Sequence, residues 1–301
     1  DVASPSAALS VTVQVSTNNG VNYDLAATNF SGAGYGTNVA PGVGRPVVWN
    51  AGSDWLNNYS TAVWFRVTAS DGSAPGGMVI IPAGSFTMGD LKGDNDGDFG
   101  ETPTHTVYVS AFYMDKYAVT LALWSNVYAW ATNNGYTIEK TGIGKATNHP
   151  VNSIYWWDCA KWCNARSEME GLIPCYYSAL LPKTIYRTGR YSLATNSVDW
   201  TANGYRLPTE AEWEKAARGG SEGSRFPWTD SQVIDRSRAN YYGLWSGGAP
   251  VYSYDSGSEG YDPAYTAGGE PYSSPIGSYA ANGYGICDMA GNVSEWCWDW
   301  W

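Results

Sequence analysis

Asn282-Gly283-Tyr284-Gly285-Ile286-Cys287-Asp288-Met289-Ala290-Gly291-Asn292-Val293-Ser294-Glu295-Trp296 is the stretch on which the reading of this chain turns. It does not stand alone. Upstream lies Arg206-Leu207-Pro208-Thr209-Glu210-Ala211-Glu212-Trp213-Glu214, the clearest local signal in the sequence. Thr209 is placed to cap a helix while Glu212, three residues on, returns a bond to the Thr209 amide, the reciprocal arrangement of a capping box. Lys215 and Arg218 follow near the helix end, where cations are favoured, and Gly219-Gly220 terminates it. Between the two blocks, residues 219–279 are mostly Gly, Ser, Tyr and Asp with little periodicity. So long an irregular stretch needs something to hold it, and bound metal is a standard answer. A third block, Gly77-Met78-Val79-Ile80-Ile81-Pro82-Ala83-Gly84-Ser85-Phe86-Thr87-Met88-Gly89, begins with a short apolar strand.

Between the 77–89 and 206–214 blocks, Thr106 to Tyr113 is a further strand candidate. Leu121, Trp124, Tyr128 and Ala131 then recur at helical spacing after Thr120 until Asn133-Asn134-Gly135 stops them. A second helix is expected from about Ser153 to Glu170, closed by Gly171. The chain before residue 70 has another character. Leu9-Ser10-Val11-Thr12-Val13-Gln14-Val15-Ser16 alternates strictly, putting Leu9, Val11, Val13 and Val15 on one strand face. Asn19-Gly20 is a hairpin turn signal, Pro41-Gly42-Val43-Gly44 punctuates a loop, and Val63, Phe65 and Val67 alternate again. Short strands over 1–70 imply an all-β sandwich, immunoglobulin-like or fibronectin-like, acting as a spacer or assembly module. Residues 71–76 form the linker, and 77–301 a second, α+β domain.

Composition limits the function. The formal charge of -11, with only 17 Lys and Arg, argues against a phosphate-binding surface, so nucleic acid is excluded as a partner. No run approaches the roughly 18 apolar residues of a membrane helix, so no transmembrane segment is expected. Sixteen Trp and 23 Tyr against 6 Phe give many large side chains a polar handle, which suits loop-rich cores and binding surfaces. A chain that starts at Asp1 and carries five cysteines, 159, 163, 175, 287 and 297, reads as a processed protein of the cell exterior or surface. With only two histidines, His105 and His149, a three-histidine metal site cannot be built. Cys159 and Cys163 lie four apart on a helix, too far for a disulfide with each other, whereas Cys163 with Cys175 is geometrically easier.

Taken together and in order, the three blocks resemble the formylglycine-generating enzyme, or sulfatase-modifying factor, family over about Gly76 to Trp301. The resemblance implies an elaborated C-type-lectin-like fold with little regular secondary structure. It also implies structural calcium, held by carbonyls and a carboxylate of the Gly-Asn-x-x-Glu block: Ala290, Gly291, Val293 and Glu295. A second calcium site in the family matches Asn240 and the Tyr241 carbonyl with Asp262 and the Ala264 carbonyl. Backbone-rich oxygen sets of this kind are what a hard cation wants. Family members oxidise a substrate cysteine with a copper-binding cysteine pair downstream of the Glu-Trp block. This sequence ends at Trp301 before that region, so no catalytic residue is assigned and copper enters only with a further segment. The family also pairs the cysteine at the Cys163 position with one near its C-terminus.

Asp94, Asp96 and Asp98 alternate like the start of an EF-hand loop. Phe99 and His105 stand where Gly and Glu are needed, so this is read as a solvated acidic loop. Two functions follow. One is a secreted, non-catalytic binding or assembly protein, with a protein or glycan ligand on aromatic loops such as Tyr252-Ser253-Tyr254 and Trp296-Cys297-Trp298-Asp299-Trp300-Trp301, and with homomeric contacts through the N-terminal sandwich. The other is a copper-dependent formylglycine-generating oxidase seen without its last segment.

Overall fold

Alternation in Leu9–Ser16 does produce a strand, β1, which sits centrally between β3 (Gly36–Val39) and β5 (Trp64–Ser70) in an antiparallel sheet. Val11 and Val15 are buried with Val39, while Val13 is only partly covered. The computed structural model describes residues 9–17, 25, 27–39, 46–70, 76–92, 101–180 and 183–299, and the chain divides into two compact units, Asp1–Ala74 and Pro75–Trp301. In the first, β2 (Phe30–Ser31) pairs with β4 (Val48–Trp49), and a single helical turn, α1 (Ala51–Asp54), follows. Asp54 ties this corner together, accepting from the Thr28 and Asn29 amides at 3.0 and 2.9 Å and from the Trp49 indole at 2.8 Å. The described residues of the unit give one three-stranded sheet and one two-stranded ribbon. That is fewer strands than the seven of an immunoglobulin sandwich, so the expectation narrows to a small antiparallel β unit. The turn at Asn19-Gly20 and the loop 41–45 lie outside the described residues, as do Asp94, Asp96 and Asp98.

In the second unit, β6 (Met78–Ile81) pairs with β9 (Phe112–Asp115), and β7 (Gly84–Met88) with β8 (His105–Val109). The single strand expected over 106–113 is therefore two, because the chain changes partner at Ser110 and Ala111. Helix α2 (Leu121–Asn133) begins as expected, with the Thr120 hydroxyl accepting from the Leu123 amide at 3.1 Å. Helix α3 (Trp156–Met169) starts three residues later than its sequence suggests, since Ser153 takes a left-handed φ of 59°. The core lies between these helices. Trp124 and Trp162 stack with ring centroids 5.4 Å apart, and the Trp162 indole donates to the Trp124 carbonyl at 3.1 Å.

Helix α3 is buried along most of its length, so its polar side chains must find partners inside. Lys161 lies 3.0 Å from Asp158, both side chains fully buried; Asp158 accepts from the Glu139 and Lys140 amides, and Lys161 donates to the Thr137 and Gly189 carbonyls. Helix α4 (Glu210–Arg218) carries the full capping box at Thr209 and Glu212 and ends on Gly219 in the left-handed region. β10 (Tyr177–Leu180) and β11 (Lys183–Ile185) form one hairpin. Among the described residues beyond Gly219 only β12 (Trp245–Ser246), β13 (Ala249–Pro250) and the single turn α5 (Pro263–Thr266) are regular, as the composition foresaw.

Side chains hold this long coil to itself. The Arg236 guanidinium donates to the carbonyls of Tyr241, Ser258 and Gly260. Asn282 caps the end of α4 by donating to the Ala216 and Ala217 carbonyls at 2.7 and 3.1 Å. All five cysteines are unpaired, so the easier bridge, Cys163 to Cys175, is not made. Burial pushes the Cys163 thiol up to about 12 and the Cys175 thiol up to about 11. Both behave as small apolar core residues.

Candidate functional site

The Asp288-to-Asp299 segment folds into one wall of a cleft of about 1050 Å³ in the second unit. Asn292 organises that wall. Its side chain accepts from the Ser274 amide at 2.8 Å and donates to the Ser274 carbonyl at 3.3 Å, while its own amide donates to the Asn240 carbonyl at 2.6 Å. Neighbouring Gly291 has φ 83°, and a β-carbon there would meet the Asn240 carbonyl oxygen at 2.4 Å, so only glycine fits. Asn240 completes the joint by donating to the Tyr272 carbonyl at 2.8 Å.

Further lining comes from the start of α3 and from α4, both bonded to that wall. The Trp156 indole donates to the Cys297 carbonyl at 2.7 Å, the Trp213 indole to the Glu295 carboxylate at 2.8 Å, and the Trp296 indole to the Ile154 carbonyl at 3.2 Å. Each ring is thereby fixed in the cleft. Behind them Trp298 is buried, stacked on Tyr176 at 5.0 Å, with its amide donating to the Pro208 carbonyl at 2.7 Å. A third side is made of tyrosines: the Tyr261 ring lies 4.7 Å from Tyr242 and 4.4 Å from Tyr272.

Four carboxylates border the cleft: Glu210, Asp288, Glu295 and Asp299. Asp299 accepts from the Glu210 amide at 2.7 Å, and burial followed by the Asp299 charge pushes the Glu210 carboxyl above its ordinary range. Residue Glu295 as a whole borders open solvent, but its carboxyl is crowded by the walls and pushed upward by that crowding. Cys297, the one cysteine of the cleft, is raised to about 12 by burial and then by Asp299, Glu210 and Glu295. It is a thiol, not a thiolate, at neutral pH.

Of the residues singled out for calcium, Gly291, Val293, Glu295, Asn240 and Tyr241 all border this cleft. At the Ala290-to-Glu295 loop part of the donor set is open to a hard cation. The Gly291 carbonyl accepts from the Val293 amide at 2.9 Å and Glu295 uses one oxygen on Trp213, but among the described residues no donor reaches the Ala290 and Val293 carbonyls. The other set does not suit one: the Tyr241 carbonyl already accepts from the Arg236 guanidinium, and Asp262 caps α5 by accepting from the Ala264 amide at 3.0 Å. A second cation sharing the Tyr241 oxygen with a guanidinium would be repelled. Among the described residues no three His, Cys, Asp or Glu side chains gather closely enough to hold a metal. The flagged tyrosines Tyr252 and Tyr254 stack on each other at 5.3 Å but do not border the cleft.

Residues 65–301 match the family model of the sulfatase-modifying factor enzyme 1-like domain. The chain belongs to that family. Its sulfatase-modifying factor domain has the C-type-lectin-like fold, with modest regular secondary structure. The formylglycine-generating enzyme of Thermomonospora curvata is 33% identical over 240 residues, 75% of this chain and 72% of that protein. The chaperone protein LppX of Paenibacillus barcinonensis is 34% identical over 200 residues, 64% of each. The solved structure of CarF superposes with a TM-score of 0.54 at 27% identity, covering 73% of this chain and 78% of that one. This chain thus spans roughly two thirds to three quarters of the length of these relatives. Sequence reasoning singled out the Asp288-to-Asp299 wall, Asn240 and Tyr241 but not the rest of the cleft: Tyr155 to Trp157 fell in an expected helix, Glu210 in the capping-box block, and Tyr242, Tyr261 and Tyr272 in a stretch without pattern.

Proposed function

We propose that the 75–301 unit is a non-catalytic binding domain that holds its ligand in the aromatic cleft. The observation that carries this is the cleft itself: about 1050 Å³, lined by indole and phenol rings, of which the Trp156, Trp213 and Trp296 indoles donate to the protein. Clefts that take small molecules run to about 1,000 Å³ and are lined in this way, with few polar groups to set orientation. In this reading the protein works outside the cell, the N-terminal unit is a spacer or assembly element, and calcium bound by the Ala290-to-Glu295 loop stiffens one wall.

A second reading is a copper-dependent formylglycine-generating oxidase acting on sulfatase cysteines; the Thermomonospora curvata relative is named a formylglycine-generating enzyme. Two assays separate them. Nile red, a neutral apolar dye, should bind the full chain and be lost from Trp296→Ser and Tyr261→Ser, both at well-exposed cleft positions. Copper-dependent formylglycine formation in a cysteine-containing sulfatase peptide, read by mass spectrometry, would replace the binding reading with the oxidase.

A further inference from the structure

The cleft is unusual in its charge. Glu210, Asp288, Glu295 and Asp299 border it, and no Lys, Arg or His does so among its described lining residues. Elsewhere in the unit carboxylates are matched with cations, as in Arg206 with Glu212 at 2.6 Å, Lys183 with Asp199 at 2.7 Å and Arg238 with Asp230 at 2.8 Å. Among the described residues none of the four cleft carboxylates has such a partner. Asp299 accepts from the backbone amide of Glu210, the first residue of α4, and its charge acts on the Glu210 carboxyl. An incoming cation would relieve that repulsion.

The aromatic walls select which cation. Tyr and Trp faces attract positive charge, most strongly when it is weakly hydrated and can be stripped of water. Rings of this cleft already do so, since the Lys140 ammonium lies 4.9 Å from the Tyr155 ring centre and that of Lys145 lies 5.9 Å from Tyr272. Tyr261, Trp213 and Trp296 line the cleft together with the four acidic residues. A bare divalent ion would want six to eight oxygens around one point. Among the described residues no three acidic side chains gather around one point, and the apolar faces that line the cleft with Glu210 and Asp299 do nothing for a hard ion. An alkylammonium is matched on both counts: its methyl and methylene groups lie against rings while its diffuse charge faces Glu210 and Asp299.

Resting on the binding function proposed above, we infer that the cleft takes a small organic ammonium, held between the Trp213, Trp296 and Tyr261 faces and the Glu210 and Asp299 carboxylates. A small molecule, not a polypeptide segment, is the occupant because the volume is that of a small-molecule cleft.

Choline and 3,3-dimethylbutan-1-ol have the same shape and differ by the charge, so titrating both into the full chain by NMR isolates that charge. Choline should bind at least tenfold more tightly than the alcohol. Glu210→Gln with Asp299→Asn, which keeps the hydrogen-bond acceptor for the Glu210 position, should remove most of that preference and leave the alcohol unchanged. Tyr261→Leu, which keeps apolar bulk and loses the ring face, should weaken choline severalfold and spare the alcohol, so the inference does not hang on one variant folding. Equal binding of the two probes, or tighter binding of the alcohol, would overturn the charge assignment while leaving the cleft a binding site. Nile red binding with no choline binding would overturn it likewise. Failure of all three probes would remove the binding function itself.

Discussion

Arg206 and Glu212 face each other as a two-pronged ion pair, Nη1 to Oε2 and Nη2 to Oε1 both at 2.6 Å, while the same Oε2 accepts from the Thr209 amide at 2.9 Å. One carboxylate thus closes the capping box of α4 and anchors the arginine that lies over Trp200 at 5.1 Å. Glu212→Gln should lower stability by about 1.5–3 kcal/mol, the usual effect of losing hydrogen bonds to a charged group, checked by urea unfolding. Arg206→Met in a double-mutant cycle should show strong coupling with it.

The same carboxylate sets an acid dependence. Burial alone would raise the Glu212 pKa, but bonds from Arg206, its charge and the Thr209 amide outweigh burial and hold it below the ordinary value of 4.5. A group depressed in the folded state contributes stability that is complete above its unfolded pKa and is lost as pH falls through the folded one. Asp199, likewise lowered against burial by Lys183 and Thr201, adds to the same window. Unfolding free energy should therefore fall below the ordinary carboxylate range, and Glu212→Gln should flatten part of that fall.

Lys161→Met should be among the most damaging single changes, at about 3–5 kcal/mol, because it leaves Asp158 without its cation in a fully buried place. Adding Asp158→Asn should recover part of the loss. A double variant no more stable than Lys161→Met would show that the two side chains do not act as a pair.

Gly291→Ala should cost at least about 2 kcal/mol through the left-handed backbone and the clash with the Asn240 carbonyl. It should also abolish Nile red binding in whatever fraction stays folded, since the wall carrying Asn292 is displaced. Retained dye binding would mean the joint to Asn240 does not shape the cleft.

Calcium bound at the Ala290-to-Glu295 loop should raise the melting temperature of the full chain and leave that of Glu295→Ala unmoved. Equal destabilisation of the variant in calcium and in chelator would remove the ion from the account.

What the sequence disclosed and what it hid divide along physical lines. The capping box, the Thr120 start of α2 and the alternation of β1 are local patterns, and each is where it was expected. The split of 106–113 into β8 and β9 depended on which distant strand each half meets. The cleft was hidden for the same reason. Nothing near Glu210 announces Asp299, 89 residues away in the chain. The Trp156 indole meets the Cys297 carbonyl across 141 residues. The block 282–296 could reveal its family but not which surfaces would close around it.

Gly291 against the Asn240 carbonyl, together with the Asn292 bonds to Ser274, ties two stretches of irregular chain into one rigid rim. A rim assembled before any ligand arrives has no closing step to wait for. Capture should then run at the rate of oriented collision, quickened for positive ligands by the carboxylates and slowed as added salt screens them. Ligands that differ in affinity at constant charge should differ almost wholly in how long they stay.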